Sequence, residues 1–234
     1  MKVEIWSDVV CPWCYIGKRR FESALALFPH RDEVQVIWRS FELDPSAPAQ
    51  AEGGLAGRLA AKYGVSLAEA QAMNDRVSGA ARSAGLEYRL EQARPGNTLA
   101  AHRLLHLAAR QGRQSELKEE LMAGYFTRGA AIGDPADLRQ LALNAGLVEA
   151  DVDRVLSGSD HLEEVRADES EASELGISGV PFFVLDRRLG VSGAQPPEIL
   201  LSALEQAWEA SHPSPQLRAV GAPGEACQDD SCPI

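Results

Sequence analysis

The sequence predicts an α/β fold with one sheet domain, a large all-helical insertion and a flexible C-terminal tail. Strand-like segments occur before residue 44 and after residue 179, and a long helical block separates them. The last 24 residues contain four prolines but few large apolar side chains. We therefore divide the chain into a discontinuous sheet domain (1–44 and 176–210), an insertion (45–175) and a tail (211–234).

The first 43 residues have the pattern of a βαβ unit. Apolar and polar residues alternate from Lys2 to Ser7, which predicts a strand. Pro12 is suited to the first turn of a helix, and helical periodicity continues to Phe28. Residues 34–43 are rich in β-branched and aromatic side chains, which predicts a second strand.

A turn-rich connector over residues 44–54 leads into a block rich in Ala, Leu, Glu, Arg and Gln. Its glycines and prolines predict several separate helices. The Glu-rich run over residues 162–175 is typical of a solvated helix face. Strands are predicted again at 180–185 and 189–193, followed by a helix over 197–210.

Composition excludes several functions. A formal charge of −11 and a pI near 5.0, without a basic cluster, argue against nucleic acid. No stretch reaches the roughly 20 apolar residues that span a bilayer, so no membrane contact is expected. Glu4 and Asp8 interrupt the N-terminal apolar run, so we expect no signal peptide and a cytoplasmic location. Thiols in that reducing compartment are usually catalytic, redox-sensing or metal-binding.

The segment CPWC, residues 11–14, places two cysteines at i and i+3 at the predicted start of the first helix. Side chains at this spacing can form a small disulfide ring. Cys11 would lie at the helix N-terminus, where unpaired backbone N–H groups favour a thiolate. We therefore predict that Cys11 attacks a substrate disulfide and that Cys14, one turn inward, resolves the mixed disulfide.

A second pair, Cys227 and Cys232, lies in the tail. A disulfide that closes so short a ring would stabilise little, by about 2 kcal/mol of loop entropy. An extended linker from Ser211 could place Cys227 up to about 50 Å away, far enough to return to the CPWC pair. We therefore interpret it as an auxiliary redox couple. An inert tail and metal capture are the alternatives.

A zinc-binding protein without enzymatic activity is one alternative to a redox enzyme. Four thiolates from CPWC and the tail pair are the ligand count of a structural zinc site, which would make the protein a non-enzymatic module. His102 and His106 share one helix face, but no acidic residue between them completes a metal site. We therefore expect no metal, and packing or groove lining for both histidines.

The CPWC segment after a strand, the helical insertion and the later GVPFF at residues 179–183 resemble the thioredoxin superfamily, in particular its DsbA-like branch and FrnE-like members. The resemblance implies a thioredoxin fold and a cis peptide bond between Val180 and Pro181, beside the cysteines. Pro12, Trp13, Val180 and Pro181 are expected to line the substrate groove. The resemblance also implies that further residues line the substrate groove. These are Asn97, Thr98, Ala101, His102 and Arg103.

One feature of that superfamily is absent. Thioredoxins carry a buried acid six residues before the first cysteine, where this chain has Ile5. The acceptor of the Cys14 proton is therefore open, with Asp8 or a water as candidates. The chain is also similar to kappa-class glutathione transferases and 2-hydroxychromene-2-carboxylate isomerases, which use one Ser or Cys to hold glutathione. Retention of Cys14 favours dithiol chemistry over that alternative.

The sequence thus predicts a cytosolic protein disulfide oxidoreductase or isomerase that uses Cys11 and Cys14, without a cofactor. Its expected partners are disulfide-containing proteins and a cellular thiol reductant such as glutathione or thioredoxin.

Overall fold

The computed structural model describes residues 1–50 and 54–213. The fold begins as a βαβ unit, with strand β1 (Lys2–Ser7), helix α1 (Pro12–Leu27) and strand β2 (Gln35–Ser40). It ends with a hairpin of β3 (Phe182–Leu185) and β4 (Leu189–Ser192).

Helices fill the chain between β2 and β3, and one more follows β4. In the described ranges these are α2 (Gly54–Tyr63), α3 (Leu67–Ser83), α4 (Leu99–Arg110), α5 (Gln114–Phe126), α6 (Pro135–Asn144), α7 (Glu149–Ser157), α8 (Leu162–Glu174) and α9 (Pro197–Ser211). The α/β class and the helical insertion are therefore confirmed. Division into separate domains at residues 44 and 175 stays a prediction, and the predicted tail lies almost entirely beyond the described residues.

The four strands form one mixed sheet in the order β2-β1-β3-β4. The β1 strand pairs in parallel with β2 and antiparallel with β3. Because β1 is central and fully flanked, its side chains are buried on both faces. Val3 and Ile5 pack with residues of α1 and α9 on one face, and Trp6 lies in a separate cluster with α8 on the other.

The β2 strand is shorter than predicted. Its last partner pair is Ser7 with Ser40, because β1 ends there and residues 41–43 have no neighbouring strand. The Leu43 N–H instead donates to the Asp8 carboxylate at 2.8 Å. This places residues 41–43 beside the cysteine loop.

The Glu-rich helix α8 has the expected solvated face and also a buried face, made of Val165, Asp168 and Ala172. Asp168 is 2% exposed and belongs to a cluster that we name the Glu4 network, made of Glu4, Arg39, Asp168, Glu171 and Arg187. Arg39 pairs with Glu4 from the neighbouring strand and with Asp168 at 2.7 Å. The network fastens α8 and the β3–β4 turn to the sheet.

None of the helices in residues 1–50 and 54–213 is both long and apolar enough to cross a membrane.

Candidate functional site

The two cysteines of CPWC lie at the start of α1, as the sequence predicts. Cys11 is the N-cap residue, Pro12 is the first helical residue, and the Cys14 N–H donates to the Cys11 carbonyl at 3.0 Å. Both thiols are free, with Cys11 5% exposed and Cys14 fully buried. Only the first sulfur is therefore within reach of a substrate.

The Cys11 sulfur faces the chain before β3 rather than the helix amides. It makes no capping hydrogen bond to α1 and lies 3.6 Å from the Val180 carbonyl oxygen. The Val180–Pro181 bond is cis, as the resemblance implies. The cysteine loop and this loop therefore meet at the reactive sulfur, although about 170 residues separate them in sequence.

A glycine in α1 permits this close approach. A Cβ atom on Gly17 would lie 2.9 Å from Cγ of Pro181 and 3.5 Å from Cβ of Ala194. Contacts shorter than about 3.5 Å between carbon atoms are repulsive. The absence of a side chain at residue 17 thus lets the Pro181 loop pack against the helix of the cysteines.

The helical insertion holds the cysteine loop from the other side. The Tyr88 hydroxyl donates to the Pro12 carbonyl at 2.7 Å, and its ring stacks on Phe126 with a centroid separation of 4.7 Å. Tyr15 of α1 stacks on both rings. Trp13 remains 43% exposed beside them, where it can contact a substrate.

Buried ionisable groups lie behind the cysteines in what we name the Asp8 cluster, made of Asp8, Glu42, His102 and Lys118. His102 Nε2 is 3.3 Å from Asp8 Oδ1. Burial alone would raise the pKa of Asp8. The hydrogen bonds from His102 and the Leu43 N–H, together with the Lys118 charge, instead hold that pKa below its usual value.

The same surroundings separate the two thiols chemically. Burial raises the pKa of the Cys14 thiol well above its usual range, and the adjacent Cys11 sulfur raises it further. The Lys118 charge and a hydrogen bond from the Asp8 backbone act in the opposite direction. Cys14 is therefore held as a thiol until a disulfide forms next to it.

Residues 2–205 match the DSBA-like thioredoxin domain. The chain belongs to that family. It is a DsbA-like thiol–disulfide oxidoreductase, and Cys11 and Cys14 are its CxxC pair.

Known proteins are similar to this chain to different degrees. The crystal structure of a probable DsbA oxidoreductase from Streptomyces coelicolor is 47% identical, with 100% of this chain and 99% of that chain covered and a TM-score of 0.86. An uncharacterized Bacillus subtilis protein, YwbO, is 27% identical over 186 residues, which are 78% of this chain and 86% of that protein. The cytosolic disulfide reductase DsbM from Pseudomonas aeruginosa shares the fold at 15% identity, with 90% and 100% coverage and a TM-score of 0.62.

A cleft of about 540 Å³ opens next to the cysteine loop of this DsbA-like chain. Val10 and Leu43 contribute apolar surface, Thr98 contributes a polar wall, and Arg58 and Lys62 of α2 line it as well. Concave apolar surface with a few polar groups is typical of a binding site. A substrate bound through Cys11 would therefore have space on the side of the insertion.

The residues that the family resemblance assigned to the groove do not all lie at the groove. Thr98 lines the cleft, and Asn97 braces it, with its side chain bonded to the Leu99 N–H and the Pro45 carbonyl. His102 is fully buried behind the cysteines, so it does not line the groove. Arg103 donates to three carbonyls around the end of α7 and faces away from the site.

Two functional candidates were missed from the sequence. Lys118 is spaced four and seven residues before Met122 and Tyr125, which are buried, and this helical spacing could have identified a lysine on an apolar stripe. No local pattern marks Tyr88, because its bond to Pro12 joins distant parts of the chain.

His106 bonds Ser40 and Asp168, separately from His102. Cys227 and Cys232 lie outside the described residues.

Proposed function

We propose that this oxidoreductase reduces or isomerises disulfide bonds of substrate proteins in the cytoplasm, as an FrnE-like member of its family. A cellular thiol such as glutathione or thioredoxin would regenerate the dithiol. The proposed chemistry takes place on sulfur and needs no cofactor.

One observation carries this proposal. Cys11 keeps a small exposed surface at the start of α1, next to the Val180 carbonyl and one residue after Val10 of the cleft wall, while Cys14 is fully buried one turn behind it. A site that only activates a single thiol has no use for the second one. The buried second thiol is suited to release a substrate that has become bonded to the first.

The proposed cycle begins when the Cys11 thiolate attacks a substrate disulfide and forms a mixed disulfide. Cys14 then attacks Cys11, which releases the reduced substrate and leaves the Cys11–Cys14 disulfide. An external thiol reduces that disulfide and restores the starting state. In isomerisation, a substrate thiol resolves the mixed disulfide instead.

The substrate groove of this proposal is formed by two loops and the insertion. Pro12 and Trp13 form one side, Val180 and Pro181 form the other, and Asn97 and Thr98 shape the adjoining cleft. An extended substrate chain can pair its backbone with free groups on such a loop. Trp13 supplies an exposed apolar surface for its side chains.

We include Cys227 and Cys232 in the proposal as an auxiliary couple that passes electrons to or from the Cys11–Cys14 pair. Asp229 and Asp230 lie between them in sequence. Negative charge disfavours a neighbouring thiolate, so this pair is better suited to be attacked than to attack.

Insulin reduction in a glutathione buffer tests the main activity. Cys11→Ser should abolish turnover, because no other thiol of the pair is exposed, whereas Cys14→Ser should accumulate mixed disulfides that gel mobility under non-reducing conditions reveals. Full reductase activity in Cys11→Ser would reject this site. The glutathione-dependent isomerase or transferase would be favoured if the parent protein does not turn over protein disulfides and Cys14→Ser still turns over a glutathione conjugate.

The double variant Cys227→Ser/Cys232→Ser tests the auxiliary couple. We expect an unchanged first turnover and slower multiple turnover, because only recycling would use the tail. Equal multiple-turnover rates would show that the second pair takes no part.

A further inference from the structure

Lys118 of α5 is a fully buried amine with few partners. Its side chain is 0% exposed, its Nζ atom reaches the Ser7 carbonyl at 3.5 Å, and it lies 5.4 Å from the centre of the Trp38 ring. Within residues 1–50 and 54–213, no carboxylate lies within ion-pairing distance of this amine. Its neighbours on α5, Leu117, Leu121 and Met122, belong to the same buried core cluster as Cys14. The amine is therefore buried on the side of the protein that holds the second thiol.

A buried and incompletely paired ammonium is costly for folding. Lysines kept in such places commonly act as bases, because burial makes the neutral amine accessible. Burial lowers the pKa of Lys118 to about 8, against the opposing charges of Cys14, Asp8 and Cys11; the nearby Lys18 lowers it further. Both protonation states are therefore populated around neutral pH.

Asp8 is the other ionisable candidate near Cys14, but its carboxylate already has hydrogen-bond donors on both oxygens. Its two carboxylate oxygens bond His102 and the Leu43 N–H, and its pKa lies below the usual value. A carboxylate stabilised in this way holds a proton poorly. This argues against the acceptor role that the sequence left open for Asp8.

We propose that Lys118 accepts the proton of the Cys14 thiol when Cys14 attacks the mixed disulfide on Cys11. The inference rests on the dithiol cycle proposed above. It places the proton acceptor on the helical insertion, whereas the position six residues before Cys11 in β1 holds the apolar Ile5.

The step balances in atoms and electrons. The Cys14 S–H proton moves to the neutral amine of Lys118, and the Cys14 sulfur bonds the Cys11 sulfur. The bond from Cys11 to the substrate sulfur breaks, and its electron pair leaves with the substrate thiolate. In this step the Cys14 sulfur is oxidised, the substrate sulfur is reduced, Cys11 stays at the disulfide level, and Lys118 becomes an ammonium.

The charge on Cys11 controls when Lys118 can accept the proton. A Cys11 thiolate favours the ammonium form of Lys118, since its negative charge lies nearby. That charge disappears when Cys11 bonds the substrate, so the neutral amine becomes more populated when Cys14 needs a base. When an external thiol later reduces the protein disulfide, the same amine can return the proton to Cys14.

Stopped-flow reaction with dithiobis(nitrobenzoate) separates the two thiols, because each attack releases one coloured thiolate. The background is the full chain with Cys227→Ser/Cys232→Ser, so that only Cys11 and Cys14 report. The first phase measures attack by Cys11, and the second measures resolution by Cys14. Lys118→Met and Lys118→Arg are compared with Lys18→Met, which removes a buried lysine already paired with Glu22 and Glu119.

We expect Lys118→Met to slow the second phase by at least about tenfold, with a first phase within about threefold of the background. In the background protein, the second phase should rise with pH and level off once Lys118 is neutral. In the Met variant it should keep rising about tenfold per pH unit, since hydroxide must remove the proton. Lys118→Arg, which retains charge but cannot accept a proton, should match Lys118→Met. Lys18→Met should keep the levelling of the second phase, moved to slightly higher pH because loss of the Lys18 charge lets the pKa of Lys118 rise.

An unchanged second phase in Lys118→Met would overturn the inference, and so would full rescue by Lys118→Arg. Failure of the proposed function has a different signature, because the background protein itself would then show no second phase or would not reduce insulin. Circular dichroism of each variant confirms that the fold is retained.

Discussion

Two groups of buried charge lie along β1 and just after it, and they differ in how completely they are paired. In the Glu4 network, each carboxylate faces at least one guanidinium. In the Asp8 cluster, Lys118 lacks a carboxylate at ion-pair distance. Glu42 Oε2 and His102 Nδ1 are buried with no hydrogen-bond partner among the described residues.

The difference separates structural from chemical uses of buried charge. The Glu4 network joins β1, β2, α8 and the β3–β4 turn, and its pairing lowers the pKa of Glu4 despite burial. Such a network resists any change of protonation. The Asp8 cluster contains groups whose pKa values are shifted toward neutrality, Glu42 to about 7 and Lys118 to about 8, so protons can move there.

Breaking the paired network should have the largest effect on stability. Arg39→Met removes a guanidinium that serves Glu4 and Asp168, both nearly fully buried. We expect the free energy of unfolding to fall by about 3–5 kcal/mol, because two carboxylates lose a partner. Denaturant unfolding measures this, and a loss below about 1 kcal/mol would contradict a structural role for the network.

Lys118→Met should act in the opposite direction. Lys118 has a pKa of about 8 in the folded protein and 10.5 in the unfolded protein. Below pH 8 the amine is therefore charged in both, and the folded protein is destabilised by the full cost of burying that charge. Removal of the amine should therefore raise stability there by up to about 3 kcal/mol.

The gain from Lys118→Met should disappear as pH rises from about 8 to 10.5, since the unfolded state alone keeps the proton in that window. Unfolding curves of parent and variant at several pH values measure the difference. A variant that is less stable than the parent at pH 7 would mean that the ammonium contributes favourably to the fold.

Glu42→Gln should give a smaller gain with the reverse pH dependence. Burial and the charge of Glu169 raise the pKa of Glu42 to about 7, compared with 4.5 unfolded. Between these values the folded state binds more protons, so parent stability falls as pH rises. Above pH 7 we expect Glu42→Gln to be more stable by roughly 1 kcal/mol, because the amide also loses the attraction of Arg166. Equal pH profiles would indicate that Glu42 ionises as an exposed acid does.

The smallest effect is expected on the insertion surface. Arg139 pairs with Glu149 and Asp153, which are well exposed. Solvent screens such pairs, so the melting temperature of Arg139→Met should equal that of the parent within error. A clear drop would show that ion-pair number, rather than burial, determines the contrast between the two clusters.

Local patterns were sufficient to predict the α/β class, the CPWC helix and the extent of β1. They were insufficient for β2, whose end depends on where its partner β1 stops, and the resulting free Leu43 N–H creates the contact with Asp8. Sequence spacing identifies neighbours one helical turn away, whereas the Asp8 cluster brings together residues from the loops after β1 and β2 and from α4 and α5.

His102 and Lys118 illustrate the remaining gap. The family resemblance marked His102 as a site residue, but its depth behind the cysteines follows from how α4 packs among α5, α7 and α8. Lysines on helices are mostly exposed, so composition alone places Lys118 on the surface. Only the tertiary arrangement shows that its apolar stripe faces the Cys14 side of the sheet.

Gly17 sets how closely the two walls of the groove lie to each other. Because Pro181 occupies the space that a side chain would fill, a methyl group at residue 17 would act as a wedge between α1 and the opposite wall. Either α1 or the Pro181 loop would have to shift to make room for it. The identity of residue 17 thus limits how closely the two walls of the groove can approach each other.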